Sequence, residues 1–142
     1  MQLELSDRDE AILEALRQHR LLTAGQIERL CFDGRHASPM ATRRRTQAVL
    51  RRLHQRQLIA RLERRQGGVR AGSAGFTYWL TTRGHRAIGV GGKRARWQPS
   101  ERLVDHLLAT SELSVQLHQA ARRGQIGDLQ VTHEPDSWRR FV

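Results

Sequence analysis

At 142 residues and 38% apolar composition, the chain has material for one modest core and is too short for a two-lobed enzyme, since domains run to roughly 150 residues. Its charged fraction of 27% and mean hydropathy of -0.63 describe a solvated surface. No apolar run approaches the ~20 residues needed to span a bilayer, and MQLELSDRDE lacks the basic and apolar regions of a secretory signal. Cys31 is the lone cysteine, which excludes an internal disulfide framework and a multi-Cys zinc site, so a cytoplasmic protein without membrane contact is expected.

Charge then divides the chain. There are 25 basic and 14 acidic residues, net +11, and every basic residue except Lys93 is Arg. Residues 1–34 carry four Arg against seven acids; residues 35–70 carry eleven Arg against Glu63; residues 71–142 carry ten basic against six acidic residues. An Arg-favouring codon bias spreads arginine evenly. An electrostatic footprint concentrates it where phosphates dock, and nearly all of the excess lies in the 35–70 window.

In chain order, Ser6 as N-cap, with Asp7, Asp9 and Glu10 in the opening turn, predicts a helix over 7–19 buried along Ile12, Leu13 and Leu16. Thr23 and Gln26 form a capping-box pair for a second, short helix with Ile27, Leu30 and Cys31 on its apolar face, ended by Phe32-Asp33-Gly34. Ser38 caps a third helix with Pro39 in its first position. At 100° per residue its inner face holds Thr42, Thr46, Val49, Leu50, Leu53 and Gln57. Its outer face holds Met40, Ala41, Arg44, Gln47, Ala48, Arg51 and Gln55, flanked by Arg45 and Arg52. No acid lies on that outer face, although solvated helix surfaces usually mix both signs.

Strands are predicted at 59–63 and 76–80, with Phe76 and Trp79 as core residues, joined by the Gly- and Arg-rich hairpin tip RRQGGVRAGSAG. A short helix capped by a threonine follows in TTRGHRAI, then GVGGKRARWQPS as a linker. Residues 101–123 read as the longest helix, closed by Gly124, with a final strand at 126–132. Leu103 and Leu107 lie on its broad apolar face and Leu113 and Leu117 outside it, which predicts either a homodimer through these leucines or one larger intramolecular core. The expected fold class is mainly α with a small β-hairpin, a winged helix-turn-helix followed by a long C-terminal helix and a short strand. Its expected division is a DNA-binding domain at 1–90, a linker at 91–100 and a C-terminal part at 101–142.

In such a fold the third helix enters the major groove and the hairpin tip reaches phosphates or the adjacent minor groove. Arg44, Gln47 and Arg51 are the candidate base readers, because Arg bridges guanine O6 and N7 and Gln bridges adenine N6 and N7. Ser38, Arg43, Arg45, Arg52, Arg64, Arg65 and Arg70 are candidates for backbone contacts.

The runs LSDRDEAILEALRQHRLLTAGQIERLCF, RRRTQAVLRRLHQRQLIARLE and FTYWLTTRGHRAI, followed by LVDHLLATSELSVQLHQAA, resemble the replication-relaxation family over about residues 5–121. That resemblance implies a bacterial winged-helix protein tied to plasmid replication, DNA relaxation and mobilisation, whose relatives commonly continue into a further C-terminal region. PadR-like and MarR-like regulators share the Arg-rich third helix, so a repressor stands beside a replication factor.

Chemistry of other kinds finds little support in the sequence. Glu134 and Asp136 look like the start of a nuclease metal site, but the further carboxylate and lysine would have to fall on six remaining residues. His106 and His118 are about 120° apart on one helix and cannot share a ligand. GVGGK lacks the Walker spacing, and Cys31 sits on an apolar face as a small hydrophobe. The expectation is a non-enzymatic, cofactor-free reader of double-stranded DNA. Its rival is an adaptor docking a relaxase or another replication or conjugation protein, with an RNA-binding role as a third option.

Overall fold

The computed structural model describes residues 3–32, 38–63, 75–91 and 97–134. Among the described residues eight elements follow in order: α1 (Asp7–His19), β1 (Leu22–Thr23), α2 (Ala24–Cys31), α3 (Pro39–Gln55), β2 (Ile59–Glu63), β3 (Phe76–Leu80), α4 (Thr82–Ala87) and α5 (Glu101–Arg122). The architecture is mainly helical with a small antiparallel sheet ordered β1-β3-β2.

Each helix begins where a side chain can satisfy its orphan N–H groups. Ser6 and Asp9 form one capping box and Thr23 and Gln26 another; Ser38, Thr81 and Ser100 cap α3, α4 and α5. At the far end of α3, Leu58 N–H donates to the Leu53 carbonyl (3.1 Å) and Gln57 N–H to that of His54 (2.9 Å), with Gln57 left-handed at φ 60°. This is a Schellman closure with a buried Leu53 and Leu58 behind it. It also corrects the expected helix face: Gln57 lies beyond α3, exposed, rather than on its inner stripe.

Alternation along the strands divides the interior in two. Tyr78, Leu80 and Ile59 join Ile12, Leu13 and Leu16 of α1, Ile27 of α2 and Leu50 and Leu53 of α3 in the main core. Trp79 joins Leu21 with Val104, Leu107 and Leu108 of α5, and Ala60 and Trp97 pack against that second cluster. The sheet is thereby placed between the α1–α3 bundle and α5. A polar seam fixes α5 against α2: Arg29 pairs with Glu112 at 2.8 Å and reaches Gln119, and Gln26 donates to Glu112 at 3.1 Å.

Two expectations change. Leu22–Thr23, where Thr23 is expected only as a helix cap, pairs with Tyr78 and Thr77 as a third strand; two residues are too few to show a period. The strand expected at 126–132 is not formed: 123–134 runs as turn, bends and irregular chain. Gly124, left-handed at φ 70°, turns the chain off α5, and Gly127-Asp128 puts two poor strand formers in its middle.

One glycine is fixed by a close approach. A Cβ on Gly84 would lie 2.1 Å from the Leu58 carbonyl oxygen and 2.7 Å from Leu80 Cδ1. The oxygen is backbone and cannot swing aside, so Gly84→Ala must push α4 off the sheet. It is expected to lower stability by about 2–3 kcal/mol, read as a reduced urea midpoint at unchanged slope.

Candidate nucleic-acid interface

The third helix owes its orientation to its inner face. Thr42, Thr46, Leu50 and Leu53 are buried and Val49 is half-buried. The two threonines lose little by burial, because Thr42 Oγ1 donates to the Ser38 carbonyl (3.2 Å) and Thr46 Oγ1 to that of Thr42 (2.9 Å). With this stripe against the core, Met40, Ala41, Arg43, Arg44, Arg45, Gln47, Ala48, Arg51 and Gln55 are all exposed. Arg44, Gln47 and Arg51 share one outward line, as expected. Among the described residues Arg43, Arg44, Arg45 and Arg51 have no carboxylate partner. Their charge is therefore free to meet an external anion.

Arg52 is placed differently from its expected role on the phosphate backbone. Its guanidinium, half-exposed, pairs with the buried carboxylate of Asp9, which is at the same time the returning arm of the α1 capping box. Arg52 thus ties α3 to α1. Ser38, exposed, accepts from Ala41 N–H at 3.2 Å through its hydroxyl oxygen, fixing the first turn of α3. Beyond α3, Arg61 lies over the Phe76 ring, 4.3 Å from its centroid. Arg64, Arg65 and Arg70, the expected contacts of the hairpin tip, lie outside the described residues.

The leucines expected at a dimer interface separate. Leu107 is buried in the chain's own second cluster and Leu103, half-buried, packs against it; Leu117 is half-buried and Leu113 is 61% exposed. Around Leu113 that outer face carries Glu101, Arg102, Asp105, His106 and Gln116, with Ala109 as its other exposed apolar residue. A groove of about 1680 Å³ runs between the ends of α1 and α3, the base of β2 and β3, and Val131–Glu134. Of the outward line of α3 only Gln55 borders it, so its size does not bear on the basic face.

Three histidines, unremarked as a group in the sequence, meet where α1, α5 and the segment after α5 converge. His19 Nδ1–H donates to the Ala15 carbonyl at 2.8 Å, which leaves Nε2 to accept from the Ser114 hydroxyl at 2.9 Å. The His133 ring lies 4.3 Å from that of His19 and the His118 ring 6.4 Å from it. Burial, and secondarily the neighbouring His133 and His118, hold the His19 pKa at about 4. His133 is also held below its ordinary value by burial, and its Nε2 has no partner among the described residues. No group of three potential ligands among the described residues is placed to hold a metal ion. Elsewhere, Glu134 meets His106 Nε2 at 3.1 Å, and burial pushes the Cys31 thiol up to about 11. Their separation in sequence, 19, 118 and 133, hid the histidine group; His19 and Ser114 are joined only by packing.

No helix among the described residues is long and apolar enough to cross a membrane. Compared with known proteins, the chain matches the model of a family described as replication-relaxation over residues 13–142. No curated protein and no solved structure matches it.

Proposed function

The chain belongs to the replication-relaxation family, which points to a role in plasmid replication or relaxation. From that premise we propose that it is a non-catalytic, sequence-preferring reader of double-stranded DNA, built on a winged helix and acting on plasmid or other mobile-element DNA. The single observation that carries DNA binding is the outer face of α3, where Arg43, Arg44, Arg45 and Arg51 are exposed, and without a carboxylate partner among the described residues, on a helix that holds no acid. Side by side, like charges destabilise a helix, and a polyanion relieves that repulsion. The order α1-β1-α2-α3-β2-β3, with the strands arranged β1-β3-β2, supports the winged-helix reading, α3 taking the major groove and the β2–β3 tip the phosphates.

The test is the salt dependence of duplex binding. With about six phosphates neutralised, the logarithm of the association constant should fall against the logarithm of salt with a slope of roughly -5. Tight association with a relaxase or replication protein, with duplex retained only weakly and released at low salt, would replace DNA reading by the adaptor role.

A further inference from the structure

The outer face of α3 holds one residue that phosphate binding leaves unexplained. Met40, in the first turn, is 65% exposed, although long apolar side chains gain by burial and every other member of that line is polar or alanine. On a 100° wheel it lies within about 40° of Arg44 and about 20° of Arg51, so it belongs to the same outward line as Arg44, Gln47 and Arg51. It stands about 6 Å along the axis before Arg44, at the helix end whose residues reach deepest when a recognition helix enters the groove. Ser38 as cap and Pro39 in the first position hold this turn in place, and the neighbouring Ala41 is too small to keep a base away.

Resting on the DNA-reading proposal, we propose that Met40 recognises the C5-methyl group of a thymine, at the end of the site beyond the base pair read by Arg44. In the major groove thymine alone among the four bases presents an apolar methyl, beside its O4 acceptor. A flexible thioether side chain without a donor packs on that methyl, has nothing to donate to the acceptors of guanine, and is only a weak acceptor for the amino groups of adenine and cytosine. The site is then ordered along α3 as a methyl contact followed by guanine- and adenine-type hydrogen bonding.

The probe is a randomised duplex library, selected at near-physiological salt with the full chain and with Met40→Ala, which is exposed enough to leave the fold intact. The enriched duplex is then resynthesised with deoxyuridine or 5-methylcytosine paired to guanine at each thymine. At one thymine, deoxyuridine should weaken binding about four-fold, the value of one buried methyl group, and 5-methylcytosine should bind better than cytosine at that position. Met40→Ala should abolish both differences while keeping the guanine preference. An enriched site with no methyl-sensitive thymine, or with the same sensitivity in Met40→Ala, overturns the Met40 assignment and leaves DNA reading intact. No enrichment and no salt-sensitive duplex binding overturns both.

Discussion

Acidifying the protein from pH 7 to pH 4 is expected to remove about 3 kcal/mol of stability through His19 alone. Its imidazole is neutral in the fold, with Nδ1–H on the Ala15 carbonyl and Nε2 on the Ser114 hydroxyl, and its pKa stands at about 4 against an ordinary 6.5. Below pH 6.5 the unfolded chain takes up a proton there that the folded chain refuses, so stability is complete above 6.5 and is lost as pH falls towards 4. His133, depressed in the same direction, adds to the loss. Glu14 and Glu112, held below their ordinary value by Arg17 and by Arg29 respectively, lose their contributions only as pH falls into and below the usual carboxylate range, beneath most of the histidine window. Urea unfolding at pH 7, 6, 5 and 4.5 should therefore show a steady fall. In His19→Gln, neutral-pH stability should be lower and the fall shallower. A flat wild-type profile across that range would mean that His19 is not held neutral.

What could be read in the sequence was local. Caps at Ser6, Thr23 and Ser38 and the stripes of α1 and α3 depend on spacings of three and four residues, and they placed those helices within a residue or two of their observed ends. The outward line Arg44, Gln47 and Arg51 followed from the same geometry, because an inner stripe this regular leaves one rotation of α3 open. Contacts between distant segments left no such trace. Arg52 sits on the flank of the basic face and looks like its neighbours, yet a buried carboxylate 43 positions earlier claims it. The leucines of α5 were ambiguous for the same reason: an apolar face announces burial without naming its partner, and here Trp79 and Leu21 supply it. The short β1 was decided by which sheet edge had a neighbour within reach, a matter of topology, whereas Gly124 and Gly127, which break the strand expected after α5, were already present in the sequence.

Replacing both Arg44 and Arg51 with Ala should weaken binding to a selected duplex by about 2–6 kcal/mol, from ~30-fold to ~10⁴-fold. Each arginine, set against a guanine edge, contributes about 1–3 kcal/mol, and the two stand seven residues apart, about 10 Å along α3, far enough for their effects to add. Both are exposed and have no carboxylate partner among the described residues, so their removal should leave the unfolding midpoint where it was. Binding to random duplex should fall much less, because phosphates contribute most of that affinity and Arg43, Arg45 and the hairpin-tip arginines remain. Arg52→Ala provides the contrast. It removes the partner of the buried Asp9 carboxylate and loosens α3 from α1, so its first effect is a lower unfolding midpoint, with selected and random duplex weakened alike. Equal losses on both duplexes from the Arg44 and Arg51 changes would instead class those two arginines with the phosphate contacts, and base reading would have to come from elsewhere on α3.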